Sequence, residues 1–160
     1  AAGPERVDAM LLRGELDLAI GGAATTDGHL LVERLGEIAI ALACARRHRL
    51  ARTTRGDVLE DTRFAVCPEV DAWPGERPRR VAIVSTDLGA VLDACAAGDL
   101  AAVVPAALAR RRGLHVVKTP GFPARPLYLT RRRPLRAGWL DSIAGAIRER
   151  AHASALDARR

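Results

Sequence analysis

Aromatic residues are scarce in this sequence: Phe, Trp and Tyr together make up 3% of its 160 residues. The core therefore has to be built from Ala, Val, Leu and Ile, within a hydrophobic content of 49%. That content excludes a disordered chain and indicates one compact domain, or two small lobes sharing a hinge. No apolar run reaches the ~18 residues of a membrane span, and no secretory leader opens the sequence.

Cysteine and lysine are also rare. Cys44, Cys67 and Cys95 lie far apart and have no His at metal-ligand spacing, so we expect buried, reduced thiols and no metal site. Reduced thiols without a leader favour the cytoplasm. The net charge is +6, but Lys118 is the only lysine and no aromatic residue interrupts the arginine runs. Because nucleic-acid sites commonly stack bases on aromatic rings, we do not expect this chain to contact nucleic acid directly.

Motifs for catalysis are missing as well. The sequence contains no GxSxG elbow, no phosphate-binding GxxxxGK[ST] loop, no HExxH and no GxGxxG after a strand. Glu15 and Asp17 would point to opposite faces of a strand, which favours a turn cap over an acid–base dyad. We therefore expect no enzymatic activity and no cofactor.

The sequence does show an alternation of helices and strands. Apolar residues at helical spacing over 5–13 precede a short strand over 16–20. Further strands are predicted over 30–35, 37–44, 63–67, 81–84, 100–104, 115–118 and 127–131, and further helices around 55–59, from Ser85-Thr86-Asp87 to Ala97, from Pro105 to Gly113 and around 140–147. This alternation predicts an α/β fold with largely parallel sheets.

Several positions in this pattern suit a ligand. Gly21-Gly22 would lie at the carboxyl end of a parallel strand, where a ligand can approach the backbone. Ser85-Thr86 would open a helix, where hydroxyls and unpaired N–H groups suit an anion, with ordinary capping as the alternative. Trp73, in a Pro-rich loop, is either a lid or a packing residue, and Tyr128 is either a hinge residue or a packing residue.

Four segments, taken in order, resemble the effector-binding domains of LysR-type bacterial regulators. They are LLRGELDLAI at 11–20, LVERLGEIAIALACARRHRLA at 31–51, VLDACAAGDLAAVVP at 91–105 and LYLTRRRPL at 127–135. His48-Arg49-Leu50-Ala51 stands where that family usually has His-Pro-Leu-Ala, and Asp99-Leu100 replaces the second glycine of its Gly-x-Gly turn. The resemblance covers about residues 8–150.

The resemblance implies a two-lobed α/β fold similar to type 2 periplasmic binding proteins. Lobe one would comprise residues 1–40 and 129–160, and lobe two residues 41–128. Two crossover strands, Glu37–Ala45 and Leu127–Arg131, would join the lobes.

The sequence departs from the family pattern in two ways. The family's opening strand and loop would lie upstream of residue 1, so the fold is expected to be truncated on its N-terminal side. Lobe two would have only the loop 69–80 where the family has a helix between its first two strands.

The resemblance also implies a function: sensing a small anionic metabolite in a cleft between the lobes, and oligomerisation. Implied partners are the effector, a second copy in a dimer or tetramer, and DNA only through a winged helix-turn-helix outside this chain, with no membrane. Carried over position by position, the candidate effector contacts are Gly22, Ala23, Pro68, Trp73, Ser85, Thr86, Val104 and Tyr128.

Two other classes use the same fold. A solute-binding receptor of the transport class would show a leader peptide or a lipidated cysteine, and neither is visible. An enzyme would need a catalytic Lys, Cys or Asp in the cleft, and Lys118 lies beside a Pro-rich linker. The order of the four segments favours the regulator.

Overall fold

The computed structural model describes residues 4–52, 56–74, 78–117, 122–133 and 138–157. By its internal contacts the chain divides into unit 1, residues 1–38 and 125–160, and unit 2, residues 39–124. The predicted lobe boundaries after residues 40 and 128 differ from these. The strand predicted over 37–44 breaks at Ala39, and the last strand already begins at Arg125.

The order of helices and strands is as predicted. In chain order the elements are α1 (Pro4–Arg13), β1 (Leu18–Gly21), β2 (Leu30–Ile38), β3 (Ile40–Cys44), α2 (Gly56–Glu60), β4 (Arg63–Val66), β5 (Arg80–Val84), α3 (Leu88–Ala97), β6 (Leu100–Pro105), α4 (Ala106–Arg111), β7 (His115–Val116), β8 (Arg125–Arg132) and α5 (Gly138–Asp157). A short 3-10 helix, Arg49–Ala51, precedes α2. Among the described helices, none is both long and apolar enough to cross a membrane.

Unit 1 contains a three-stranded antiparallel sheet in the order β1-β8-β2. Leu129 of the central strand β8 is buried together with Leu35 of β2 and Ala144 of α5. The helical spacing predicted for α5 is confirmed at Leu140 and Ala144, which are both buried, whereas Ile143 is exposed. Helix α5 therefore contributes a narrow apolar stripe to this core.

Unit 2 contains a five-stranded mixed sheet in the order β5-β4-β6-β3-β7. Strand β4 pairs in parallel with β5 and β6, whereas β3 pairs antiparallel with β6 and β7. The prediction of largely parallel sheets is therefore wrong. Among the described strands, four of the six pairs are antiparallel, and they join strands far apart in the chain, such as β1 with β8 and β3 with β6, whose direction no local pattern sets.

Small residues fill the core of unit 2. Ala43, Ala65 and Ala102 of the sheet pack with the buried α3 residues Val91, Leu92 and Cys95. The three cysteines are free and buried, as predicted. Burial raises the pKa of the Cys44 thiol to about 11 and that of the Cys95 thiol to about 12.

Gly98 ends α3 in a conformation that only glycine adopts readily. Its φ is +129°, and a Cβ atom added to it would lie 2.5 Å from a guanidinium nitrogen of Arg47. The Arg47 guanidinium also donates to the carbonyl oxygen of Ala97. The close approach of Arg47 to the end of α3 therefore depends on Gly98.

Candidate functional site

Three of the predicted effector contacts lie at the carboxyl ends of the parallel strands β4 and β5. Pro68 follows β4 and is exposed, and Ser85 follows β5 directly. The two strand ends are joined, because the N–H of Ser85 donates to the carbonyl oxygen of Val66 over 3.0 Å. The Cys67 thiol lies 4.0 Å from the carbonyl oxygen of Thr86. Pro68, Ser85 and Thr86 are therefore neighbours within unit 2, at the carboxyl end of the parallel strands, where α/β proteins bind ligands.

The N-cap of α3 lies within the predicted helix start Ser85-Thr86-Asp87. Asp87, and not Ser85 or Thr86, is the N-cap, and its carboxylate accepts hydrogen bonds from the N–H groups of Gly89 at 2.7 Å and Ala90 at 3.4 Å. The expectation of unpaired helix N–H groups for an anionic ligand is therefore wrong, since an acid of the chain already occupies this helix end.

Two hydroxyl groups remain beside this cap. Ser85 Oγ accepts a hydrogen bond from the N–H of Asp87 at 3.0 Å, which leaves its own O–H available as a donor. The Thr86 side chain is exposed. Any ligand polar group bound here would meet hydroxyl donors beside a carboxylate.

Trp73 is a packing residue. Its ring centroid lies 4.9 Å from that of the buried Phe64 and 6.2 Å from that of Phe122, and both ring pairs are tilted. The guanidinium carbon of Arg79 lies 5.4 Å from the Trp73 ring centroid, within the range of a cation–π contact. The alternative of a free lid is thereby excluded, although the indole is only half-buried and presents part of its surface.

An ion pair that the sequence did not predict holds this loop. Arg79 Nη1 donates to Asp71 Oδ1 at 2.9 Å, and Nη2 donates to Oδ2, so the pair is bidentate. The side chains are 16% and 14% exposed. Asp71 Oδ1 also accepts a hydrogen bond from the N–H of Trp73 at 3.4 Å. The N–H of Asp71 donates to the carbonyl oxygen of Cys67 at 2.9 Å. Asp71 and Arg79 lie in a Pro-rich loop, where no regular spacing links one residue to another. The sequence pattern therefore did not predict their ion pair.

Cys67 and Glu69 form a polar pair next to this loop. The Cys67 thiol donates to Glu69 Oε2 over 3.2 Å. Burial, and then the Glu69 carboxylate, raise the pKa of Cys67, whereas a backbone hydrogen bond and then the thiol lower the pKa of Glu69. The thiol is therefore protonated at neutral pH and acts as a hydrogen-bond donor, and its nucleophilicity is low.

Val104, also a predicted contact, lies in the core. Its side chain is fully buried in the cluster formed by the sheet, α3 and α4, and its backbone pairs with Ala41 of β3. Val104 was chosen by resemblance to the family, but its side chain is buried and is not accessible to a ligand in this structure.

The other three predicted contacts lie in unit 1. Gly22 and Ala23 follow β1 in an exposed loop, and a Cβ atom added to Gly22 would lie 3.7 Å from the carbonyl oxygen of Pro126. Tyr128 is half-buried on β8, opposite Gly21 on one side and Arg34 on the other. Because β1 is antiparallel to β8, the premise that Gly22 ends a parallel strand is wrong.

Within the described ranges, no three His, Cys, Asp or Glu side chains come together to hold a metal ion. Lys118 lies outside the described residues. The arrangement in unit 2 offers hydroxyl groups, an aromatic surface and paired carboxylates, which are groups that bind a ligand.

Comparison with known proteins also indicates a ligand-binding domain. The family model described as LysR substrate binding domain matches residues 1–138. No curated protein matches the sequence.

Several solved structures share the fold. The effector domain of the transcriptional regulator AmpR of Pseudomonas aeruginosa has a TM-score of 0.72 and 20% identity, covering 94% of this chain and 79% of that one. The BenM effector binding domain with its effector benzoate has a TM-score of 0.68 and 16% identity, covering 96% and 78%. Full-length CbnR complexed with its target DNA has a TM-score of 0.65 and 17% identity, covering 91% of this chain but 56% of CbnR. At these identities the similarity shows a shared fold alone.

Proposed function

This chain belongs to the LysR substrate binding domain family, the effector-binding part of transcriptional regulators, and we propose that it senses a small anionic metabolite. Its fold is the type 2 periplasmic-binding-protein-like fold of that family. The observation that carries this function is the family match over residues 1–138. The structurally similar BenM domain was solved with benzoate, a carboxylate, which supports an anionic effector here.

On unit 2, the effector would bind at the carboxyl ends of β4 and β5. The hydroxyl groups of Ser85 and Thr86 would donate hydrogen bonds to it, while Pro68 and the accessible part of Trp73 would supply apolar surface. On unit 1, the loop at Gly22-Ala23 and the half-buried Tyr128 are the candidate contacts. A few placed polar groups on an otherwise apolar wall are typical of small-molecule sites.

The Asp87 carboxylate makes the charge of the effector testable. An anion bound at Ser85 and Thr86 would lie near this carboxylate and be repelled by it, whereas a cation would be attracted. Replacing Asp87 with Asn removes the charge and keeps an oxygen that can cap α3. An anionic effector should therefore bind Asp87→Asn more tightly than wild type.

The experiment begins with a thermal-shift screen of carboxylates, amines and neutral aromatic compounds, since a bound ligand raises the melting temperature. Hits are then titrated into wild type, Thr86→Val and Asp87→Asn. Loss of the Thr86 hydroxyl should weaken a carboxylate by about ten- to hundred-fold, as for a hydrogen bond to a charged group.

Asp93→Asn is the matched control, because Asp93 lies on the same helix but pairs with Arg112 at the surface. It should leave the affinity unchanged. Hits confined to amines, or weaker binding of a carboxylate to Asp87→Asn, would refute the anionic assignment. A carboxylate hit that binds Thr86→Val as tightly as wild type would refute the site.

We further propose that the chain self-associates through β5. This strand is at the edge of the unit 2 sheet, and its apolar side chains Val81, Ile83 and Val84 are 48%, 41% and 64% exposed. An exposed apolar edge strand is a template for pairing with another chain. Sedimentation should show a dimer or larger species that Val84→Lys dissociates, and a wild-type monomer at high protein concentration would refute this interface.

The remaining parts of the function follow from the same family. We propose that the chain regulates transcription without catalysis and works in the cytoplasm, and that a winged helix-turn-helix outside residues 1–160 reads the DNA. The raised pKa of Cys67 supports the absence of a nucleophilic thiol at the carboxyl ends of β4 and β5. The full-length relative CbnR, solved with its target DNA, supports the role of DNA as a partner of the longer protein.

A further inference from the structure

Unit 2 has a concave surface at the opposite end of its parallel strands, where β4, β5 and β6 begin. A cavity of about 450 Å³ opens there, and its wall carries the four arginines Arg47, Arg49, Arg63 and Arg80. Two aspartates, Asp61 and Asp99, also line it, so the cations are in excess. This end of the sheet is opposite to the strand ends at Pro68 and Ser85, so the effector proposal makes no use of it.

Arg63 and Arg80 are direct neighbours at this cavity. They begin β4 and β5 and stand opposite each other in the parallel register. Like charges in this arrangement destabilise a sheet unless something neutralises them. Both side chains are exposed, and within the part of the chain that the structure describes neither has an acidic partner. Among the described residues, the pair is therefore a cationic site without an ion-pair partner on the wall of a cavity.

Most of the other polar groups of the cavity have partners inside the chain, and the exposed Asp99 also lines it. The buried Thr62 hydroxyl donates to the carbonyl oxygen of Val58 at 2.6 Å, and Nδ1 of the buried His48 accepts the N–H of Leu50 at 3.1 Å. Arg49 Nη1 lies 3.6 Å from Asp61 Oδ2, and the Arg47 guanidinium donates to the carbonyl oxygen of Ala97. These groups are held by partners within the chain, while the guanidinium groups of Arg63 and Arg80 remain for a ligand.

We propose that this cavity binds a phosphorylated small molecule, whose phosphate bridges Arg63 and Arg80. Guanidinium groups match phosphate oxygens with two parallel hydrogen bonds, and a phosphate monoester carries enough oxygens and charge for two such groups. A single carboxylate can satisfy only one guanidinium in this way. The cavity volume falls within the range of about 300–1,000 Å³ that is usual for small-molecule sites. No aromatic side chain is among the described residues that line it, so these residues offer no stacking surface for the bases of a single strand.

Isothermal titration with inorganic pyrophosphate tests this site directly, with sulfate at the same ionic strength as the reference anion. Arg63→Gln and Arg80→Gln should each weaken pyrophosphate binding about tenfold or more, the usual loss for a hydrogen bond between charged groups. The matched control is Arg110→Gln, which removes the same charge from an exposed position of α4 outside the cavity. It should leave the affinity unchanged.

Thermal melting gives a second readout that also checks folding. In dilute buffer without multivalent anions, Arg80→Gln should melt at a higher temperature than wild type, because it relieves the repulsion from Arg63. Pyrophosphate should raise the melting temperature of wild type more than that of Arg80→Gln.

Three results would overturn the proposal: pyrophosphate binding no tighter than sulfate binding, equal weakening in Arg110→Gln, or a preference for duplex DNA over pyrophosphate. None of them bears on the effector site at Thr86, because that site is tested by different variants and ligands.

Discussion

Replacement of Arg79 with Met tests what holds the loop between β4 and β5. The change removes the cation from a bidentate pair with Asp71 whose side chains are 16% and 14% exposed. Breaking a fully buried pair from one side costs about 3–5 kcal/mol, whereas exposed pairs are worth about 0–1 kcal/mol. Because this pair is mostly but not fully buried, we expect a loss of about 2–4 kcal/mol in the free energy of unfolding. Met also removes the cation–π contact of the Arg79 guanidinium with Trp73, which is worth about 0.5–1 kcal/mol and so accounts for only a small part of the expected loss.

Urea denaturation followed by tryptophan fluorescence measures this loss. The matched control is Arg112→Met, which breaks a pair with Asp93 whose side chains are 51% and 61% exposed. It should cost less than about 1 kcal/mol. The double variant Asp71→Asn, Arg79→Met should recover part of the loss, because it also removes the negative charge that Arg79 neutralises. The reasoning is refuted if Arg79→Met costs no more than Arg112→Met, or if the double variant is less stable than the single one.

Three further predictions concern the core, the thiols and DNA. Phe64→Ala should lower the free energy of unfolding by about 3–5 kcal/mol in urea, because Phe64 is fully buried; a loss below that of Arg112→Met would contradict this. Burial raises the pKa of Cys44 to about 11 from 9.0, so its stabilisation is complete below pH 9 and disappears as the pH rises towards 11. Urea denaturation at pH 8 and pH 10 should show a loss of about 1 kcal/mol from this thiol, and Cys44→Ala should show a smaller pH dependence than wild type. In a mobility-shift assay at near-physiological salt the chain should bind DNA only weakly and without sequence preference, and selective nanomolar binding to one promoter would contradict this.

The sequence predicted the order of helices and strands because local patterns determine it. Strands such as Leu100–Pro105 are continuous apolar runs, and α5 repeats its buried residues at helical spacing. Strand direction could not be predicted in the same way. The antiparallel pairing of β3 with β6 depends on contacts between residues far apart in the chain.

The candidate site could be predicted only for residues whose place follows directly from a predicted strand or helix end. Pro68 and Ser85 follow parallel strands and do lie together, but the sequence did not decide which residue of Ser85-Thr86-Asp87 caps α3, and in the structure it is Asp87. The pairing of Arg79 with Asp71 and the adjacency of Arg63 to Arg80 arise from the tertiary fold. Among many arginines, the sequence gives no sign of which ones meet.

The position of β8 has a consequence for how the protein is made. Unit 2 is one continuous stretch, 39–124, so all its strands have been synthesised before β8 exists. Among the described strands, β1 and β2 pair with β8 alone, so they have no strand partner while the whole of unit 2 is added to the chain. Domains generally fold as units during synthesis, and distant pairings form slowly. Unit 2 should therefore fold first on the ribosome, and a chain released before Arg125 would leave the first two strands unpaired and open to chaperones or proteases.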